Sequence, residues 1–324
     1  MKFRYWLAWG GLTLGLVSAG ITINSFRPQR FRADYSEEEP GVALDRARFP
    51  IVDVTFLRCG SITIPECIAV RGSLSLAPRV ITHSAVLIRH PQGTFLYDSG
   101  LCTDISLFLM DQSLFFRKTL ANFTLERPIS EHLQDLHMAP SDLDFVLLSH
   151  MHWDHVSGLP DLQGVPVRIN RVEYVSAFPR LMEQNQGLVR RLLEKSPVEL
   201  FDCVGTPYEG FRSSLDLFGD GSIILVPLPG HTPGQTGMFI NRSNGSRLFL
   251  IGDAAWVSDN YRRPATMHPF IWSRVTSDDA TARQTLSDLH HFAARHPEVM
   301  LLAMHDGRMQ EEYSRVERIV QGRV

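Results

Sequence analysis

The stretch Ser149-His150-Met151-His152-Trp153-Asp154-His155 constrains this chain more than any other part of it. Three imidazoles and a carboxylate crowd into it, and these are the donors that zinc and related divalent ions prefer. The segment before it, Asp144-Phe-Val-Leu-Leu-Ser, reads as a buried strand. Ligands gather just past strand ends in α/β folds. His150 and His152 alternate, so an extended turn points both the same way. Asp154 and His155 follow and can reach toward a second ion.

Three further fragments repeat the pattern. Pro229-Gly230-His231-Thr232-Pro233-Gly234 is a tight turn after the strand Ile223–Val226, with His231 at its tip. Ile251-Gly252-Asp253 places Asp253 at another strand end, and His305 follows the strand Val299–Ala303. Each alone is weak: a histidine in a Gly/Pro turn is usually a turn residue, and a lone aspartate is usually a cap. The chain has 13 histidines, so position matters more than number. His83 reads as core or as support for the site. His90, His132, His137, His290, His291 and His296 read as solvated.

The chain alternates strand groups with helices, which predicts a layered α/β architecture. Strands are expected at Ile51–Leu57, Ser84–His90, Thr94–Asp98, 144–149, 165–169, 222–226, 247–251 and 299–303. Helices are expected at Ile129–His137, with Ser130 as a cap, at Arg171–Ala177, and from about Asp278 to Arg295 with Ser277 as its cap. Residues 178–215 read as an irregular insertion. Phe108, Leu109, Met110, Leu114, Phe115 and Phe116 form an apolar segment that suits a buried helix, an acyl-chain pocket or a membrane contact.

The N-terminus has the pattern of an export signal or an uncleaved anchor. Lys2 and Arg4 precede the apolar stretch Tyr5–Ile21, which is close to the roughly 20 residues a bilayer crossing needs. This divides the chain into 1–22 (signal peptide or membrane anchor), 23–48 (linker) and 49–324 (catalytic domain). The expected location is outside the cytoplasm: periplasmic, secreted or anchored. Of the four cysteines, Cys59 and Cys67 are close enough in sequence to pair, and four free thiols fit equally. A net charge of −3 argues against a nucleic-acid partner.

Taken in order, HMHWDH, GHTPG, GD and a C-terminal histidine at a strand end resemble the metallo-β-lactamase superfamily over roughly residues 51–310. The resemblance implies a four-layer αβ/βα sandwich, two mixed sheets with outer helices. It implies two divalent ions, zinc first among the candidates. His150, His152 and His231 would ligate one, Asp154, His155 and His305 the other, and Asp253 would bridge them. Asp154 and Asp253 then count as catalytic. Two adjacent cations lower the pKa of a shared water, and the hydroxide attacks a carbonyl. Asp98 resembles a position that orients ligands, and a plain turn residue is an equal reading of it.

Trp153 and the later Asn260-Tyr261-Arg262-Arg263-Pro264 look like the N-acyl-homoserine lactone lactonase branch. That branch often has a tyrosine three residues after the bridging aspartate, where this chain has Trp256. Indole donates one hydrogen bond but cannot act as a phenol acid. Trp256, Tyr261 and His268 are therefore the substrate-binding candidates. The implied reaction is hydrolysis of a small lactone or ester. Alternatives are β-lactam or thioester hydrolysis on the same fold, or an exported metal-binding module without turnover.

Overall fold

Side chains along a strand alternate between faces, and here both faces are apolar. Along Val86-Leu87-Ile88, Val86 and Ile88 enter one core and Leu87 another. Strands of this kind need cover on both sides, which a layered fold supplies. The computed structural model describes residues 24–28, 49–177 and 180–320. The signal or anchor expected at 1–22 and most of the 23–48 linker lie outside the described residues. Among the described residues no helix is long and apolar enough to cross a membrane.

Two mixed sheets result. The first contains β1 (Asp53–Pro65), β2 (Pro78–His90), β3 (Gly93–Tyr97), β4 (Thr124–Leu125), β5 (Phe145–Leu147), β6 (Val167–Asn170) and β7 (Val198–Phe201), in the order β4-β1-β2-β3-β5-β6-β7. Its β1–β2–β3 part is antiparallel and its β3–β5–β6–β7 part parallel. The second contains β8 (Leu215–Asp216), β9 (Ile223–Pro227), β10 (Thr236–Asn241), β11 (Arg247–Leu250) and β12 (Val299–Leu302), in the order β12-β11-β10-β9-β8. β11 and β12 run parallel and the remaining pairs antiparallel.

The central core lies between the sheets, where Val86, Ile88, Phe95 and Tyr97 meet Leu225, Met238, Ile240 and Leu250. On the outer face of the first sheet, Leu87, Leu96 and Val146 pack against Leu133, Leu188 and Leu192 from helices. On the outer face of the second, Val226, Phe239 and Phe249 pack against Leu286, Leu289 and Phe292 of the helix Asp279–Arg295. The order helix, sheet, sheet, helix is the αβ/βα sandwich.

Several local expectations change. Residues 178–215 contain the kinked helix Arg180–Leu193 and the edge strand β7. β10 and the helix Gly307–Val320 carry no strong local signature and were not expected. Asp278, not Ser277, caps the long helix by accepting from Thr281 N at 2.7 Å. Ser277 Oγ instead donates to the Gly230 carbonyl at 2.9 Å, tying the His231 turn to that helix. Ser130 does not cap its helix; Pro128 sits at that position and Ser130 Oγ donates to Asp161. All four cysteines are free thiols. His90 is buried rather than solvated: its ring stacks on Phe218 at 4.1 Å and meets Ser222 Oγ at 3.0 Å, closing the β2–β3 hairpin against the second sheet.

Candidate metal centre

Both sheets deliver their donors from the ends of strands. β3 runs into Asp98, β5 into His150 and His152, β9 into His231, β11 into Asp253 and β12 into His305. Parallel pairing of β3 with β5, and of β11 with β12, puts these ends side by side.

His150 Nε2 lies 3.0 Å from His152 Nδ1, and His231 Nε2 lies 2.8 Å from the same atom. Three ring nitrogens this close repel unless a proton or a cation sits among them. Asp253 Oδ2 is 3.4 Å from His231 Nε2 and 3.1 Å from His305 Nε2, while Oδ1 is 3.3 Å from His155 Nε2. Asp154 Oδ2 is 3.5 Å from His305 Nε2 and 4.0 Å from His155 Nε2. All seven side chains singled out in the sequence thus meet in one place, with Asp253 between the two groups.

The donor set fits cations. His155 Nε2 and Asp253 Oδ1 are buried and face each other at 3.3 Å, but neither makes a well-formed hydrogen bond. A buried polar atom left unpaired costs free energy, which a ligated ion offsets. Three clusters have donor atoms close enough to share an ion: His150, His152 and His231; His83, Asp154 and His305; and His150, His155 and Asp253. His83, expected only as core or support, lies 3.4 Å from Asp154 Oδ2.

Hydrogen bonds behind the donors set their tautomers. Asp98 Oδ2 lies 2.8 Å from His155 Nδ1, so that nitrogen donates and Nε2 faces Asp253. Asp98 also accepts from Ser149 N at 2.8 Å and Ser149 Oγ at 2.9 Å. It is fully buried with φ of 57°, a conformation that costs energy and is maintained by these contacts. The orienting reading of Asp98 is the one its contacts match. His305 Nδ1 lies 2.6 Å from the Thr82 carbonyl, which can only accept, so His305 Nε2 faces the carboxylates.

Glu173 was not singled out in the sequence. It is fully buried on the helix Arg171–Ala177, and it accepts from Met151 N at 2.9 Å and Gly234 N at 3.0 Å. One carboxylate therefore ties the His150–His152 loop to the His231 loop. A lone glutamate on a short helix carries no sequence signal for this, because both partners are brought to it by folding.

Electrostatics divide the histidines. Burial, then neighbouring imidazoles, pushes His150 well below its ordinary value and His231 down to about 3, so both are neutral near pH 7. Burial also opposes charge on His155 and His305. The carboxylates together outweigh it, Asp98, Asp253 and Asp154 at His155 and Asp253 and Asp154 at His305, so both are raised. Burial likewise disfavours charge on Asp154 and Asp253, and the adjacent imidazoles overcome it, so both stay ionised.

A cavity of about 150 Å³ opens over the cluster. His152, Asp154, His231, Asp253 and His305 line one side; Ile62, Ile64, Phe116, Leu120 and Ile271 give most of the apolar wall, and Asn122, Gln184 and Arg274 add polar groups. Trp256 also lines it, with Nε1 donating to Asp253 Oδ2 at 3.1 Å. The other two substrate-binding candidates are elsewhere. Tyr261 is buried in the outer core with its hydroxyl on the Leu301 carbonyl at 3.2 Å. His268 caps the helix Pro269–Val275 by accepting from Phe270 N at 3.2 Å. Tyr261 points inward because its helix packs on the helix Asp279–Arg295, a contact that its local sequence does not announce.

The chain matches the family described as the metallo-beta-lactamase superfamily over residues 78–287. It is 27% identical to the N-acyl homoserine lactonase AttM of Rhizobium radiobacter over 135 residues, 42% of this chain and 50% of AttM. The match thus spans about half the length of that relative. It is 26% identical over 303 residues to a probable metallo-hydrolase of Mycobacterium tuberculosis, covering 87% of this chain and 89% of that one. A solved N-acyl homoserine lactone hydrolase, with the product N-hexanoyl-L-homoserine at its catalytic metal center, superposes with a TM-score of 0.63. That likeness, at 16% identity, covers 81% of this chain and 96% of that one, and it is a likeness of fold. With the sandwich, the strand-end donors and this match over most of the described domain in agreement, the chain belongs to the metallo-beta-lactamase superfamily.

Proposed function

We propose that this chain is a dinuclear metal-dependent hydrolase that opens the carbonyl of a small lactone or ester carrying an apolar acyl group. One observation carries the reading: seven ligand-competent side chains converge, and five of them line one side of a cavity whose remaining walls are largely apolar. His150, His152 and His231 would hold one ion and Asp154, His155 and His305 the other, with Asp253 shared. Imidazole and carboxylate donors suit zinc first. Such ions, when bound, lower the pKa of water and polarise a carbonyl oxygen.

The protein's own groups would do the rest. The isoleucines and Phe116 bind the acyl group by removing it from water, at about 25 cal/mol per Å² of apolar surface. Trp256 offers its indole face to the cavity, while its one N–H is taken up by Asp253. It therefore positions the carboxylate and does not replace a tyrosine acid. The relatives named as lactonases support the lactone reading. We further propose that the N-terminal segment directs export or anchoring, on the basic-then-apolar pattern of Lys2, Arg4 and Tyr5–Ile21.

Elemental analysis of the purified full chain should find about two divalent ions per chain. A panel of short- and long-chain N-acyl homoserine lactones, simple esters, nitrocefin and a thioester should show turnover of the lactones or esters, favouring the longer acyl groups. Preferred turnover of nitrocefin or the thioester would replace the substrate class. Failure to take up metal would overturn the reading.

Metal uptake should also depend on pH. His155 is raised well above its ordinary value and holds its proton near pH 7 in the metal-free protein, His305 is raised in the same direction, and His150 and His231 are already neutral. A nitrogen must lose its proton to ligate, so uptake at pH 7 should release about one proton or more. Affinity should rise with pH until the raised values are passed. Zinc titration calorimetry in two buffers of different ionisation enthalpy measures the release, and zero protons would contradict this charge assignment.

A further inference from the structure

Beyond the reaction, we propose that the rim of the cavity is a membrane-docking surface that rests on an anionic phospholipid bilayer. Large apolar side chains stand in solvent along this rim: Met110 is 63% exposed, Leu114 64%, Phe115 50% and Phe270 40%. Leu74 and Leu76 are exposed further still, at 81% and 78%. Soluble surfaces rarely collect so many large apolar groups unless they meet a partner or a membrane.

They form one connected ribbon. The Phe115 and Phe270 rings lie 6.1 Å apart, and the Arg274 guanidinium sits over both, at 5.5 Å and 3.8 Å. The loop that carries Leu74 and Leu76 is tied to the extended segment before Phe270, through Arg71 N to the Thr266 carbonyl at 2.8 Å and His268 N to the Ile68 carbonyl at 2.9 Å. Phe116, Ile68 and Ile271, which alternate with or neighbour these exposed residues, line the cavity. The ribbon therefore borders the mouth of the cavity.

The place where the N-terminal segment enters commits the occupant to lipid. Residues 24–28 dock on this same rim: the Phe26 ring lies 4.9 Å from the His268 ring, and Arg71 Nη2 donates to the Asn24 carbonyl at 3.0 Å. Gly72 is pressed so close to Pro28 that a Cβ would stand 2.6 Å from its Cα. The apolar stretch Tyr5–Ile21 ends just before this docking point. A segment held in a bilayer would thus deliver the domain mouth first. Charge agrees: Arg117, Lys118 and Arg274 are exposed beside the aromatic residues, and Asp111, the nearest acid in sequence to Met110, is paired with Arg191 at 3.1 Å. Basic side chains beside apolar ones are what an anionic headgroup layer attracts. On the hydrolase reading, on which this one consequence rests, acyl substrates dissolved in lipid enter the cavity without crossing water.

The test needs neither metal nor substrate, so its failure is separate from failure of the hydrolase reading. In the full chain with Cys203→Ser, an environment-sensitive fluorophore is placed at Phe115→Cys, and separately at Leu114→Cys. The remaining cysteines are buried. Val204→Cys, exposed beyond β7 at the far edge of the first sheet, is the control. With vesicles of phosphatidylcholine and phosphatidylglycerol, lipid-borne spin labels should quench the two rim probes at least about threefold more than the control, with a blue shift in emission. Equal quenching at all three positions, or no binding to vesicles, would overturn the proposal. So would a rim shift that appears without lipid and grows with protein concentration, which would make the ribbon a contact between copies of the chain.

Discussion

Asp253→Ala is expected to cut turnover by about a thousandfold or more, roughly 4 kcal/mol of transition-state stabilisation. Its carboxylate touches both donor groups, at 3.1 Å from His305, 3.3 Å from His155 and 3.4 Å from His231. Its removal takes a ligand from each proposed ion at once. It also removes a negative charge that favours the protonated forms of His155 and His305 in the metal-free state and that would hold the two proposed ions close together. Bound metal should fall below two ions per chain. Asp253→Asn, which keeps the volume and the acceptor for Trp256 Nε1 but not the charge, should lose nearly as much. Elemental analysis beside the substrate panel decides it. Two retained ions with more than about a tenth of the rate would show that Asp253 is not the shared ligand.

Gly234→Ala should destabilise the fold and loosen the site together. A Cβ at Gly234 would stand 2.0 Å from Glu173 N and 2.4 Å from Glu173 Cα, which are backbone atoms that cannot rotate away. Either the turn or the helix Arg171–Ala177 must shift, and the Glu173 carboxylate that joins Gly234 N to Met151 N shifts with it. Overpacking of this kind costs about 3 kcal/mol, which in a domain this size lowers Tm by roughly 6–12 °C. Gly245→Ala is the contrast. Unlike Gly234 it has a positive φ, 81°, but no atom lies within 4 Å of the added carbon, so only the backbone penalty of about 1 kcal/mol applies. Thermal unfolding with and without chelator compares the two. Equal shifts would show that the approach to Glu173 is not tight.

The site was legible where chemistry is local. The short spacing of His150, His152, Asp154 and His155 keeps their donors together whatever surrounds them, and apolar runs ending in Gly, Pro or Asp mark strand ends. Those two signals located the seven donors and most strands. They could not distinguish Tyr261 from Trp256 as a cavity residue. Both follow Asp253 closely, but Trp256 stands in the loop before the helix Ser258–Arg262, whereas Tyr261 lies on that helix, which packs against the helix Asp279–Arg295. They missed β10 and the helix Gly307–Val320, whose stability comes from burial against neighbours already in place.

The remainder depends on partners remote in sequence. His305 owes its tautomer to Thr82, 223 residues away; Tyr97 joins the sheets through the Thr236 carbonyl, 139 residues on; Arg79 sets its buried guanidinium on Asp306, beside His305, from 227 residues off. Donor types, their local spacing and the alternation that builds strands are properties of short segments, so they can be read along the chain. Which strand ends stand side by side, which glutamate clamps two loops and which aromatic ring faces the cavity follow from sheet order and packing. No short segment encodes those contacts, because each becomes favourable only after distant parts of the chain have closed on one another.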